Sequence, residues 1–226
     1  MDSIRKYGEE RGLSVTVVSG LNANEESIKG LNGLGYPTVL HLASHGFYYP
    51  GLGDSTGRGA SGAAGASGGS GTVGSSGAFI PGRVFKGSTN PLMRSGIVLA
   101  GGNDTWNGRK AVGGEDGILT SYEVANLYLP SIRLVVLSAC ETALGDVQGS
   151  EGVYGLARAF KMAGVQSLIM SLWKVPDAAT AEFMGDFYRH LFGKESVEEA
   201  FFQAQGDMKK KYRNQPDQWA AWILVR

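Results

Sequence analysis

Residues 133–142 of this 226-residue chain read RLVVLSACET, and they give the strongest indication of its fold class. A near-continuous run of branched apolar residues, without alternating polar positions, is typical of a strand covered on both faces of a parallel sheet. The run ends at Ala139 and Cys140. Because ligands bind at the carboxyl ends of the strands in an open parallel sheet, we expect the Cys140 thiol to lie at that edge.

Apolar strand patterns alternate with helical patterns on both sides of this stretch. Further strands are predicted at residues 13–18, 38–43, 95–100, 167–172 and 219–225. Helices are predicted at residues 3–11, 120–127, 152–163 and 177–191, and a last one from Ser196. Asn24, Asp177 and Ser196 are the expected N-caps. This alternation implies a largely parallel sheet with helices on both faces.

Glycine is unusually abundant, at 35 residues, and it is concentrated between residues 51 and 79. Almost no side chain in that segment can bury apolar surface, so we predict a flexible Gly/Ser-rich insertion within one domain spanning residues 1–226. A phosphate-binding role for these glycines is disfavoured, because no strand–loop–helix frame with a lysine surrounds them.

Charge, hydropathy and cysteine content exclude several classes of function. The chain has 21 Lys and Arg against 21 Asp and Glu, so neither nucleic acid nor an anionic membrane is expected as its main partner. No apolar run approaches the roughly 20 residues of a membrane span, and cytoplasmic location is expected. The single cysteine excludes an internal disulfide and a multi-cysteine zinc site, and no metal or cofactor is expected.

A second strand end also carries a reactive side chain. The strand at residues 38–43 leads to His45 and Gly46. If this strand neighbours the one that leads to Cys140, the imidazole and the thiol share an edge, as nucleophilic catalysis requires. The N–H groups of Gly46 and Cys140 could then form an oxyanion hole. By position alone the pair remains open to coincidence, and His41, inside the strand, is interpreted as structural.

Seven motifs follow one another along the chain outside residues 51–79. They are HLASHGF (41–47), SGIVLAG (95–101), DGILT (116–120), LVVLSACETA (134–143), EGVYGL (151–156), SLWKVPD (171–177) and WAAWILV (219–225). In this order they resemble the motifs of CHAT domains, the caspase-like peptidase domains that are often fused to TPR repeats. The resemblance covers essentially the whole chain outside the insertion.

The resemblance implies a caspase-hemoglobinase fold, an α/β three-layer sandwich with a mostly parallel central sheet and helices on both faces. It implies a catalytic dyad of Cys140 and His45, in which the imidazole polarises the scissile carbonyl or protonates the leaving amine. It also implies that the strand around Ser171, Leu172 and Trp173 pairs with an extended protein substrate.

CHAT domains normally begin with a further strand and helix. The resemblance therefore implies that this chain is a fragment of a larger protein, with the N-terminal edge of its sheet truncated. It also implies a TPR or other regulatory region, present in the same protein or supplied by another chain.

Acidic residues near the expected S1 region bear on substrate preference. A carboxylate from Glu141, Asp146 or Asp177 would select arginine or lysine at P1 through charge-assisted hydrogen bonds. Each has a structural alternative, such as a helix cap for Asp177, and a neutral pocket stays open. The same fold also allows an alternative function, that of a catalytically inert scaffold or interaction module.

Overall fold

The computed structural model of the chain describes residues 2–49, 85, 87–107, 109, 114–138 and 151–226, so the insertion predicted at 51–79 lies outside the described residues. The strands are β1 (Val39–Leu42), β2 (His45–Tyr48), β3 (Ser95–Val98), β4 (Ile118–Thr120), β5 (Leu134–Leu137), β6 (Ser167–Ser171) and β7 (Trp222–Val225). The helices are α1 (Asp2–Glu9), α2 (Glu25–Lys29), α3 (Gly102–Trp106), α4 (Ser121–Ala125), α5 (Glu151–Met162), α6 (Asp177–Phe192) and α7 (Val197–Lys211). None of the helices in these ranges has the length and hydropathy needed to cross a membrane.

The central sheet has the strand order β1-β5-β6-β7. Strand β5 pairs in parallel with β1 on one side and with β6 on the other. Strand β7 closes the sheet by pairing antiparallel with β6. The prediction of a mostly parallel central sheet, with the RLVVLS strand at its interior, is confirmed.

The four residues of β5 are fully buried, and they divide between two apolar layers. Leu134 and Val136 pack in a cluster with residues of α6 and α7. Val135 and Leu137 pack in a second cluster with residues of α4 and α5. Successive side chains of a strand point to opposite faces, so one strand requires cover on both sides. The predicted layers of helix, sheet and helix are confirmed.

A second, antiparallel sheet has the order β2-β3-β4. The strand expected at residues 95–100 is β3, and it belongs to this smaller sheet instead of the central one. Gly117, just before β4, has a φ of +76°. A Cβ at that position would lie 2.7 Å from the carbonyl oxygen of Ala100, so only glycine fits there.

Two of the local predictions are wrong. Residues 13–18 form no strand, because their apolar side chains find no partner surface: Leu13, Val17 and Val18 are 45%, 42% and 49% exposed. Asp177 is the first helical residue of α6, and Pro176 occupies the N-cap position without a side-chain cap bond. Proline suits the start of a helix because its φ is fixed and it has no N–H to satisfy.

The other two predicted caps are confirmed. The Ser27 N–H donates to Asn24 Oδ1 at 3.0 Å, which caps α2. At the start of α7, Ser196 and Glu199 form a reciprocal capping box. These caps could be read from the sequence because each depends on residues three positions apart, whatever packs around the helix.

Candidate active site

The carboxyl ends of β1 and β5 lie side by side. Leu42 pairs with Leu137, and the Ser138 N–H donates to the Leu42 carbonyl oxygen at 2.9 Å. In the sequence, His45 follows Leu42 by three residues, and Cys140 follows Leu137 by three residues. The two strands are therefore neighbours, and each of the two residues follows its paired strand end by the same number of residues. This meets the condition under which the sequence places the imidazole and the thiol at one edge. Cys140 itself lies outside the described residues, so the dyad remains a prediction.

His45 is itself the first residue of a strand, β2. Between Leu42 and His45 the chain leaves the central sheet and enters the antiparallel sheet, where His45 pairs with Val98. The Ser44 hydroxyl donates to the Val98 carbonyl oxygen and holds this turn. The His45 side chain is exposed, so its imidazole can meet a ligand in solution.

The backbone N–H of Gly46 points away from the body of the second sheet. The Tyr49 N–H donates to the Arg94 carbonyl oxygen at 2.8 Å, which makes Tyr49 and Arg94 a hydrogen-bonded pair. Such pairs alternate along an antiparallel ladder, so Gly46, opposite Ile97, belongs to a non-hydrogen-bonded pair. Among the described residues β2 is an edge strand of this sheet, so the Gly46 N–H faces away from β3. This orientation fits the oxyanion-hole donor predicted at Gly46.

An aromatic cluster that the sequence did not predict lies along and just beyond β2, after His45. Phe47, on the same strand face as His45, lies with its ring centroid 5.3 Å from Trp106 and 5.4 Å from Phe85. The ring of Tyr49, next on this face, is 6.3 Å from Trp106. The alternation of the sequence HGFYY could have suggested a shared face, but only the fold brings Trp106 to it.

Strand β6 reaches one residue beyond its last pair with β5, which joins Met170 to Leu137. On its other side, Ser171 pairs with Trp222 of β7, and the Leu172 N–H donates to the Ala221 carbonyl oxygen at 2.8 Å. A peptide pairing with Ser171, Leu172 and Trp173 would therefore have to approach on the β5 side. Within the described residues, that side has no strand partner beyond Met170.

The acidic residues predicted near S1 are described in part. Asp177 is exposed in the first turn of α6, and Lys174, also exposed, lies three residues before it. Glu141 and Asp146 lie outside the described residues. The predicted basic P1 preference therefore stays a prediction, as does the assignment of these carboxylates to the pocket.

His41 takes part in a polar network beneath this edge. Its Nε2 lies 2.9 Å from Ser138 Oγ, and its Nδ1 lies 3.0 Å from the Tyr188 hydroxyl. The His41 and Tyr188 rings stack, with centroids 5.6 Å apart. Burial lowers the pKa of His41 to about 4, so the imidazole is neutral near pH 7. The interpretation of His41 as a sheet-facing structural residue agrees with these contacts.

A lysine fills the space between three carboxylates on another part of the chain. Lys29 Nζ lies 2.6 Å from Glu25 Oε1, 2.9 Å from Glu115 Oε2 and 3.0 Å from Glu123 Oε1. Burial raises the pKa of Glu25 to about 7, and Gly117 N–H donates to its Oε2. Since these oxygens lie around an ammonium, the group is an ion-pair network that ties α2 to the β4 region.

Comparison with known proteins agrees with the motifs. The family model of the CHAT domain matches residues 2–226. Human tetratricopeptide repeat protein 28 is 35% identical to this chain over 109 residues, which are 48% of the chain and 4% of that protein. The mouse protein of the same name is 34% identical over 109 residues, with the same coverage. The match thus spans a small part of these relatives. Because the family model spans nearly all 226 residues, the chain belongs to the CHAT-domain family.

Proposed function

We propose that this chain is a cysteine endopeptidase that cleaves a protein substrate through a dyad of Cys140 and His45. One observation carries the proposal: β1 and β5 are parallel neighbours whose carboxyl ends, Leu42 and Leu137, are paired, and His45 and Cys140 each follow three residues later in the sequence. Membership in a caspase-like family supports the same chemistry.

The proposed reaction forms and then hydrolyses a thioester. The Cys140 thiolate attacks the carbonyl carbon of the scissile peptide bond, and the negative charge that develops on the carbonyl oxygen is stabilised by N–H donors. The outward-facing Gly46 N–H is one such donor. The carbon–nitrogen bond breaks as His45 donates a proton to the leaving amine, and water then hydrolyses the thioester. An exposed imidazole can recover its proton from solvent.

The proposed substrate binds as an extended strand on the β5-facing side of Ser171, Leu172 and Trp173. Hydrogen bonds to the main chain would fix its direction, and a side-chain pocket would fix the residue at P1. A carboxylate from Glu141, Asp146 or Asp177 would make arginine or lysine the preferred P1 residue.

Regulation by TPR repeats belongs to the same proposal. The human and mouse relatives are named for tetratricopeptide repeats. We propose that a TPR or other regulatory region, in the same protein or in a partner, controls access to the site.

The second candidate function is an inert caspase-like interaction module. It is favoured by the backbone at the end of β6, where Ser171 pairs with Trp222 and the Leu172 N–H donates to Ala221, so that β7 occupies one side and the β5 side is left for a peptide. In this function Cys140 and His45 would be present without performing catalysis.

Profiling with a peptide library separates the two functions. The intact chain is compared with Cys140→Ala, His45→Ala and the control His190→Gln, which changes a histidine on α6. A peptidase cleaves after a defined P1 residue, loses this activity by a factor of at least about 100 in the first two variants, and keeps it in the third. Cleavage that survives Cys140→Ala, or none at all with any library member, rejects the peptidase.

A further inference from the structure

The residues around His41 hold a specific point of the backbone. His41 lies inside β1, and its ring bridges the Ser138 hydroxyl and the Tyr188 hydroxyl of α6. Ser138 directly follows Leu137, the last residue of β5, and its N–H already donates to the Leu42 carbonyl oxygen. Two hydrogen bonds therefore hold the chain where it leaves β5. One is made by the backbone N–H of Ser138 and the other by its hydroxyl group.

The directions of these hydrogen bonds follow from burial. Tyr188 is 3% exposed, and burial raises the pKa of its phenol, which stays neutral and needs an acceptor for its proton. His41 Nδ1 at 3.0 Å provides that acceptor. With Nδ1 accepting, the proton of the neutral imidazole lies on Nε2, which donates to Ser138 Oγ. A tyrosine on α6 thus sets the tautomer of His41 and its donor toward Ser138.

We infer that His41 is a positioning residue, which acts through Ser138 to fix the exit of β5 from which the chain continues to Cys140. Tyr188 orients the His41 ring by stacking and by its hydrogen bond. The inference rests on the proposed function in so far as the chemistry it serves is that of Cys140. Whether His41 holds Ser138 in place can be tested without measuring peptide cleavage.

Four variants test the inference. Ser138→Ala and Tyr188→Phe each remove a single hydroxyl, while His41→Leu removes both ring nitrogens. His41→Gln keeps an amide donor at the distance of Nε2 and serves as the conservative rescue. The matched control is Tyr212→Phe, which removes a hydroxyl that donates to Glu182 Oε2 at 2.9 Å.

The first measurement is amide hydrogen exchange at the end of β5. In Ser138→Ala and His41→Leu, the amides of residues 137–138 exchange at least about fivefold faster, while those of β6 keep the wild-type rate. His41→Gln restores most of the protection, and Tyr212→Phe has no effect. If His41→Leu does not fold, Ser138→Ala and Tyr188→Phe carry the same comparison. Unchanged exchange at residues 137–138, or equal acceleration in all strands, overturns the inference.

The second measurement concerns the thiol and the reaction. Because Cys140 is the only cysteine, its alkylation by iodoacetamide is read from the intact mass. In Ser138→Ala, we expect the rate constant for alkylation of Cys140 to differ from that of wild type by at least about threefold. We also expect kcat for peptide hydrolysis to fall about tenfold, while KM stays within about twofold of the wild-type value. An alkylation rate equal to that of wild type overturns the inference. A wild-type chain that cleaves nothing rejects the proposed function, and exchange and alkylation still decide the inference.

Discussion

The three histidines of the chain differ in what surrounds their rings. His45 is exposed at the start of β2, where we propose that it meets a substrate. His41 has both ring nitrogens within hydrogen-bond distance of hydroxyls. His190 lies between two carboxylates, with Nδ1 3.0 Å from Glu195 and Nε2 3.5 Å from Asp207. Residue type alone does not separate these roles. The position of each histidine relative to the strand ends separates them, and this position could be predicted from the sequence.

Glu25, which is fully buried, and His41, which is partly buried, make opposite contributions to the pH dependence of stability. The pKa of Glu25 is raised by burial from 4.5 to about 7, so its contribution is greatest below pH 4.5 and is lost as the pH rises to 7. The pKa of His41 is lowered by burial from 6.5 to about 4, so its contribution is greatest above pH 6.5 and is lost as the pH falls to 4. In the wild-type protein the two contributions offset each other between pH 4.5 and 6.5.

We therefore expect single variants to reveal each contribution. Relative to wild type, the free energy of unfolding of His41→Gln falls as the pH rises from 4.5 to 6.5, by on the order of 2 kcal/mol. That of Glu25→Gln rises over the same interval by a similar amount. Urea denaturation at intervals of half a pH unit measures both. Parallel pH profiles for the three proteins would contradict the burial of these two groups.

At the scale of the element, the start of each long helix offers a comparison. The Ser196 hydroxyl accepts from the Glu199 N–H at 3.2 Å and caps α7. At the start of α6, Asp177 makes no cap bond. We expect Ser196→Ala to lower the free energy of unfolding by about 1 kcal/mol. Asp177→Ala loses only an interaction with the helix dipole, about 0.5 kcal/mol. Chemical denaturation of both variants at pH 7 makes the comparison, and an equal or larger loss in Asp177→Ala would refute it.

Elements were predictable where a local pattern and its tertiary surroundings agree. The four buried residues of β5 and the capping box of α7 are of this kind. Residues 13–18 have strong β propensity and yet form no strand, because a strand needs a partner that local sequence does not supply. For the same reason, the assignment of β3 to a separate antiparallel sheet could not be read from its apolar pattern.

The candidate site was predictable in part at the same scale. The neighbouring strand ends of β1 and β5 follow from the parallel-sheet rule and the two reactive residues beyond them. The contacts of His41 with Tyr188 and of Phe47 with Trp106 join residues far apart in the sequence. Only packing of helices on sheets sets such contacts, and no local pattern in the sequence encodes them.

At the scale of the whole molecule, the central sheet and its two helical layers carry the apolar core. Two clusters of buried side chains involve strands and helices that lie on both sides of residues 51–79 in the sequence. Because glycine, serine and alanine dominate residues 51–79, we expect the insertion predicted there to affect stability mainly through the entropy of closing a longer loop.

We expect deletion of residues 51–77 to change the free energy of unfolding by less than about 1 kcal/mol, because loop-closure entropy varies only with the logarithm of length. Urea denaturation of the full and shortened chains measures this, and the m-values should agree closely. A broadened transition or a loss of several kcal/mol in the shortened chain would mean that the segment contributes to the packed structure.

We propose that the strand ends of β1 and β5 bring His45 and Cys140 to one scissile bond. The most direct test of this claim is the rate at which a peptidyl acyloxymethyl ketone with arginine at P1 labels the single cysteine, followed by intact mass in wild type, His45→Ala and the control His190→Gln. We expect stoichiometric labelling of wild type and of His190→Gln, and a rate at least about 100-fold lower in His45→Ala. Equal rates in all three proteins, matching that of a simple thiol, would contradict the claim.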